Sequence, residues 1–403
     1  MNSRTPRSPP LRPLLPLLLC VLAMGGCAGT SPQDAAAPGQ RAGARDADES
    51  GAADPLLART AVPHVVVAER WVSAAVPRDE TDSVAAWVAP DGALWVIATA
   101  KEADVLVAYD GASGRELRRV GATGSGPGQF RRPNGIAVIG DLVFVVERDN
   151  RRVQVLRLPA FEPLGSFGEQ DLVSPYGLWA RRLASGTPGE PERIEVIVSD
   201  SYVDPDPGRA GEVLPPPVAR LGERFERFLL QPTAASLGAR RVAGFGDTGA
   251  AGAVRIAESL WGDPHHDRLL VAEEDRATGT RLRDYLLGGG RYAGRDVGAA
   301  QFRAQAEGIA LWACADGTGY WIGTDQFRDR TLFHVFDRVS LASLGAFAGR
   351  VTANTDGVWL QQGGTAAFPD GVFFAVHDDR GVAAFDWRDI ARALGLRQRC
   401  SGA

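Results

Sequence analysis

Glu258, Glu307 and Asp356 open short apolar runs at matched places in three successive stretches: Glu258-Ser-Leu-Trp261, Glu307-Gly-Ile-Ala-Leu-Trp312 and Asp356-Gly-Val-Trp-Leu360. A further run, Leu270-Val-Ala-Glu-Glu-Asp275, ends on three acids. Carboxylates recurring at equivalent positions suit oxygen ligation of a hard cation such as Ca²⁺, which takes six to eight oxygens at ~2.3–2.6 Å. Converged acids repel one another unless a cation neutralises them. A solvated rim of turn acids would show the same spacing, so both readings stand at this point. Glu273 and Asp275, flanking Glu274, are expected to face solvent or to complete the strand end. Lys101 is the only lysine among 44 basic residues, which marks it for a possible specific task or for a chance survival.

Covalent chemistry finds little support. The chain has no Arg-His-Gly triplet, no arginine-terminated cysteine loop, no Gly-x-Ser-x-Gly elbow and no Walker loop. Its five histidines are scattered, and His265-His266 falls in a turn after Asp263-Pro264 that is expected to be solvated.

The acids sit in a repeated frame. A small or polar pair opens an apolar strand, a turn follows, and a second apolar strand ends on polar residues. The six units start at 83, 134, 176, 258, 307 and 356, spaced 42–51 residues apart except for one gap of 82. Residues 201–240, with Pro215 to Pro217, account for the long gap as an insertion. Third strands follow at Val105-Leu-Val-Ala-Tyr109, Val153-Gln-Val-Leu156 and Leu332-Phe-His-Val-Phe336. Strand-turn-strand units at periods of ~40–50 residues predict propeller blades. The fold expected is therefore all-β, a six-bladed β-propeller over residues 61–398, with a helix only near Asp386 to Leu396. In such a ring the first strand of each blade lines the central channel. Gly124-Ser-Gly-Pro-Gly-Gln-Phe130 followed by Pro133-Asn-Gly-Ile-Ala-Val138 resembles an NHL-repeat blade.

Residues 1–27 read as an export signal: Arg4, Arg7 and Arg12 precede the apolar stretch Leu14 to Ala23, which is too short to span a bilayer. Met24-Gly25-Gly26-Cys27 resembles a lipoprotein signal-peptidase box, which implies lipidation at Cys27; plain secretion is the alternative. Residues 28–60, rich in Ala, Gly, Asp and Pro, read as a flexible tether. The expected product is an exported lipoprotein, periplasmic or on the cell surface, touching membrane only through its anchor. A net charge of −5 gives no reason to expect nucleic acid as a partner. A monomer is expected. Cys314 and Cys400 lie outside the leader, and an oxidising compartment permits a bridge that sequence alone does not establish.

These motifs resemble the β-propeller phytases, calcium-dependent phosphatases of six blades. The likeness runs from about Asp82 to Leu396. It is strongest at Leu270-Val-Ala-Glu-Glu-Asp275, at Glu307-Gly-Ile with Ala315-Asp-Gly-Thr-Gly-Tyr320, at Thr355-Asp-Gly357 and at Gly371-Val-Phe-Phe-Ala375. Glu258 to Glu274 and Glu307 to Gln326 keep the family's spacing without gaps. The resemblance implies Ca²⁺ held by Asp82, Tyr176, Glu258, Glu274, Glu307, Gln326 and Asp356, with Glu274 catalytic. It also implies that Lys101 and Arg148 bind phosphate and serve catalysis, with Tyr176 at the substrate. Departures are plain: Asp82-Ser-Val-Ala-Ala-Trp87 and Gln305-Ala-Glu307-Gly308 each lack one family acid. Gly349-Arg-Val-Thr-Ala-Asn354 is a shortened acidic loop, and His377-Asp-Asp-Arg-Gly381 replaces Gln-Asp-Gly-Glu-Asn. Asp200-Ser-Tyr-Val-Asp204 stands where the family has a Lys-Glu pair at a second phosphate site.

The activity expected is calcium-dependent hydrolysis of phytate, myo-inositol hexakisphosphate, to lower inositol phosphates and phosphate, a 3-phytase-like reaction. The alternatives are a non-catalytic NHL-like propeller lipoprotein that binds a protein or glycan at the cell surface, and a phosphatase for another phosphoester.

Overall fold

The computed structural model describes residues 55–184 and 192–400. The export signal, Cys27 and residues 28–54 of the tether lie outside the described residues. Six sheets follow one another along the chain as blades, each built on four antiparallel strands, and the sheet of blade 5 carries a fifth, parallel strand at its edge. Their innermost strands are Thr81–Val88, Pro133–Ile139, Pro175–Leu183, Ala257–Asp263, Ala306–Ala313 and Val358–Gln361. All six expected units are therefore blades. The helical pattern near the C-terminus is Trp387–Leu394, capped by the Asp386 side chain at its start and by left-handed Gly395 at its end. Among the described residues no helix is long and apolar enough to cross a membrane.

The second strand of each blade explains why the sequence reads as apolar runs rather than alternation. Leu142–Glu147 and Arg268–Glu273 are buried at every position, because both faces of the blade press on neighbours. The core is accordingly divided among the junctions between blades. Ala85, Trp87 and Ile97 of blade 1 pack on Ile136, Val143 and Val145 of blade 2. Ala310, Trp312 and Ile322 of blade 5 pack on Val358, Phe373 and Phe385 of blade 6.

The long gap contains less insertion than expected. Phe225–Pro232 and Leu237–Phe245 are the regular third and fourth strands of blade 3, so the extra chain ends near residue 224. Buried Arg224 pins it, donating to the carbonyls of Val254 (3.1 Å), Asp200 (2.9 Å) and Tyr202 (2.7 Å).

Ring closure comes from the N-terminal segment. Trp71–Val72 pairs antiparallel with Gly381–Asp386 and supplies the fourth strand of blade 6. Val65–Val66 runs parallel to Ser343–Ala348 on the edge of blade 5. Packing onto the propeller also extends before the expected boundary at 61: Leu57 is buried against Phe327, Leu332 and Ala346, and its N–H bonds Asp329 Oδ1 at 2.7 Å. Between the two strap strands, Glu69 accepts from the backbone N–H groups of Arg350 (3.0 Å), Val351 (2.9 Å) and Thr352 (2.9 Å) and from the Thr352 hydroxyl (2.7 Å). Burial alone would raise its pKa, but these donors together hold it below the ordinary value for a glutamate. A depressed acid contributes stability above its unfolded pKa and loses it as pH falls through the folded value. Glu69→Gln should therefore lower Tm at neutral pH, with the two melting curves converging as pH is taken below 4.5.

Candidate metal centre at the channel mouth

Each inner strand enters the ring through the same irregularity. In five blades the register with the second strand shifts between Thr81/Val84, Pro133/Ile136, Pro175/Leu178, Ala257/Leu260 and Ala306/Ile309. The bulged pairs are Asp82-Ser83, Asn134-Gly135, Tyr176-Gly177, Glu258-Ser259 and Glu307-Gly308, and Asp356-Gly357 precedes the sixth strand. A bulge re-aims one side chain and brings backbone close to the next blade, which is why the second member is small. A Cβ on Gly177 would lie 2.6 Å from Glu258 O, and one on Gly308 would lie 2.6 Å from Asp356 O. Gly308 N instead bonds Asp356 O at 2.9 Å, and Gly357 N bonds Asp82 O at 2.8 Å. The small-polar pairs that open each unit are thus the places where blades meet around the mouth.

A second tier comes from the residue after each second strand: Lys101, Arg148, Ser201, Glu274, Gln326 and Asp378. In five of these the N–H bonds a carbonyl two residues before the bulge: Lys101 to Glu80 (3.0 Å), Arg148 to Arg132 (3.2 Å), Ser201 to Ser174 (2.8 Å), Glu274 to Ile256 (3.2 Å) and Gln326 to Gln305 (2.9 Å). Lys101, Arg148, Glu274 and Gln326 are therefore equivalent in the fold.

Blades 4 and 5 bring Glu258, Glu274 and Glu307 together, with one oxygen from each within 4.8 Å of the others. All three are buried. Burial, then the neighbouring charges of Glu274, Glu258 and Asp356, push the Glu307 carboxyl well above its ordinary value. Two carboxamides of blade 5 support the cluster: Gln305 Nε2 donates to Glu274 Oε1, and Gln326 Nε2 donates to Asp356 Oδ1. Buried carboxylates crowded in this way fit a hard, oxygen-seeking divalent cation, which removes the repulsion that otherwise raises Glu307.

Asp82 and Tyr176, expected with the same cation, form a second network on blades 1 to 3. Asp82 Oδ1 accepts from the Tyr176 hydroxyl (3.1 Å) and Asn134 Nδ2 (3.2 Å), and it lies 3.5 Å from Lys101 Nζ. Ser83 Oγ donates to Asp82 Oδ2 at 3.0 Å. Asp379 joins from blade 6. Its carboxyl is pushed up to about 6, chiefly by burial, with Lys101 opposing the rise and the Asp82 charge adding to it. Arg148 is buried, with Nε 2.8 Å from Asp149 Oδ1.

The other strand-end acids have a different task. Asp200 accepts from Val173 N (2.8 Å) and Ser174 N (2.6 Å), Glu273 from Arg255 N (2.9 Å) and Ile256 N (3.0 Å), and Asp325 from Arg303 N (3.0 Å) and Ala304 N (2.7 Å). Each ties down the loop entering the inner strand of its own blade. Glu273 and Asp275 are buried rather than solvated, and Asp275 pairs with Arg255 at 2.7 Å. Both complete the strand end. His265 is exposed in its turn, as expected, while the half-buried His266 ring reaches Gly317 O at 2.7 Å.

Beyond the bulges the inner strands line a cavity of ≈ 220 Å³, with Trp179, Trp261 and Trp359 in its wall. Trp261 and Trp359 meet edge to face at 5.3 Å. Asn134, Gln305 and Asp379 are mouth residues that the sequence reading left out. Asn134 carried a signal, since it opens its unit where Glu258 and Glu307 open theirs.

No family model and no curated protein matches this chain. Among solved structures it is similar to a calcium-binding regucalcin from Agrobacterium tumefaciens strain C58, at 11% identity and a TM-score of 0.46, covering 80% of this chain and 95% of that one. It is similar to hydrazine synthase from Kuenenia stuttgartiensis at 10% identity and a TM-score of 0.41, over 85% and 84% of the chains. A chain of a nidogen/laminin complex gives 12% identity and a TM-score of 0.38, over 68% and 81%. Likenesses at this level say nothing about chemistry. The phytase resemblance accordingly rests on the motifs quoted above.

Proposed function

We propose that this propeller is a calcium-dependent phosphomonoesterase, exported as a monomer on a lipid anchor at Cys27, with phytate as its substrate. The observation that carries the reading is the buried Glu258–Glu274–Glu307 triad, whose Glu274 holds the same place in its blade as Lys101 and Arg148 hold in theirs. A bound divalent cation supplies charge neutralisation, polarisation of a phosphoryl oxygen and a more acidic water. In this reading Glu258, Glu274, Glu307 and Asp356 hold the cation, with Gln326 bonded to Asp356. Lys101 is held near Asp82 on one side, and it and Arg148 orient phosphate oxygens and offset the charge that grows on them. The Tyr176 hydroxyl, fixed on Asp82, borders the substrate. The Cys314–Cys400 bridge supports an oxidising compartment and hence export.

The deciding assay is phosphate release from phytate with Ca²⁺ and after EDTA. Release should require calcium, and Lys101→Ala should lower turnover about 10²-fold or more. No calcium-dependent release from folded protein would sink the reading.

One observation favours a second substrate class on the same site. The segment 200–204 presents no lysine: Asp200 is engaged by two backbone N–H groups, the Tyr202 hydroxyl bonds Arg220 O at 2.6 Å, and Asp204 pairs with Arg220 at 2.6 Å. A compact monophosphate ester needs no second phosphate contact there. Comparing kcat/KM for phytate and a simple monophosphate ester separates the two. Tight calcium-dependent capture without turnover would instead support a binding propeller.

A further inference from the structure

We infer that the side-chain oxygen of Asn134 is a cation ligand on the blade 1 to 3 side of the mouth. The inference rests on the metal-binding reading above. Asn134 is 0% exposed and occupies the bulge position that carries Glu258, Glu307 and Asp356 in other blades. Its Nδ2 donates to Asp82 Oδ1 at 3.2 Å, which fixes the amide, since the flipped amide would set its oxygen against that carboxylate. Asn134 Oδ1 is buried without a hydrogen-bond partner. A buried acceptor in that condition costs stability unless something binds it. The Tyr176 hydroxyl and Ser83 Oγ donate to Asp82, and Lys101 Nζ lies 3.5 Å from it.

An amide oxygen beside a carboxylate is a ligand pair that suits calcium rather than a softer metal. Lys101 already offsets part of the Asp82 charge, so a neutral oxygen serves here where blades 4, 5 and 6 carry acids.

The test is calcium titration by calorimetry on the full propeller, with CaCl₂ as the probe, together with Tm in EDTA and in calcium. Asn134→Ala should weaken calcium binding about tenfold or more. Asn134→Asp keeps an oxygen at that position and adds charge. It should bind calcium at least as tightly as wild type, melt lower in EDTA, and show a larger rise of Tm on adding calcium. A residue that merely holds Asp82 also melts lower in EDTA as Asp, but it binds calcium more weakly than wild type and shows no larger rise of Tm on adding calcium, because the new carboxylate cannot donate to Asp82. The inference is overturned if Asn134→Asp binds no better than Asn134→Ala, or if both bind as wild type does. Absence of calcium binding by the wild type would remove the metal reading together with this one. Loss confined to the Asn134 variants bears on Asn134 alone.

Discussion

Glu307→Gln should melt at a higher temperature than wild type in EDTA, and at a lower one once calcium is added. Glu307 is buried among Glu258, Glu274 and Asp356, and burial together with their charges disfavours its ionised form. Without a cation, these acids oppose the fold. The substitution keeps the side-chain volume and replaces a carboxyl whose ionisation the neighbours oppose with a permanently neutral group, while its carboxamide can donate to Glu274. Removing the cost of holding that carboxyl among the other acids is worth on the order of 1–3 kcal/mol. At roughly 2–4 °C per kcal/mol for a large domain, the gain is a few degrees. Calcium reverses the order. A ligand that binds only the folded state adds about 2.7 kcal/mol at 100 times its Kd, and the variant forfeits most of that gain. Glu274→Gln should behave in the same way and also abolish calcium-dependent phosphate release. A differential scan of the three proteins, with and without calcium, checks both signs. Equal melting temperatures throughout would show that the triad neither repels itself nor binds a cation.

The stability such a site gives up explains why its acids were only partly legible in the sequence. The blades were readable because their second strands, such as Leu142–Glu147, are buried on both faces and therefore contain almost nothing but aliphatic and aromatic residues. The mouth positions were readable because the bulge recurs and demands Gly or Ser after the functional side chain. Four acids at strand ends looked alike in the sequence, yet Glu274 faces its counterparts in the mouth while Asp200, Glu273 and Asp325 bind the backbone of their own blade. One residue of strand phase separates the two roles, and spacing alone does not reveal where a strand stops. Closure of the ring was not legible at all. Trp71–Val72 is too short to show a period, and its partner Ala384 lies some 300 residues along the chain. Gln305 and Asn134 were passed over for a related reason: each matters through a bond to a carboxylate in another blade, Glu274 and Asp82.

A large loss of stability from a single change outside the mouth is expected at the Cys314–Cys400 bridge. Its Cα atoms are 5.5 Å apart and 86 residues apart in sequence. A crosslink closing a loop of that length restricts the unfolded chain by about 4–5 kcal/mol on the chain-entropy model, and native bridges removed from small domains cost about 2–5 kcal/mol. The bridge ties the segment after the C-terminal helix to the turn of blade 5. It does so beside Trp312, Tyr320 and Trp387, whose rings lie 5.3–6.2 Å apart. Those contacts survive reduction, so the loss should fall on the C-terminal segment first. Cys314→Ser and Cys400→Ser should each lower Tm by several degrees, and the double variant should cost little more than either alone, because the first substitution already removes the whole crosslink. Calcium affinity should be unchanged in all three, since Cys314 and Cys400 sit at the far end of the inner strand of blade 5 from Glu307. Protein made in a reducing cytosol should match the double variant, and oxidation should restore the wild-type Tm. Additive losses in the double variant would mean that the two cysteines stabilise the fold through packing and not through their bond.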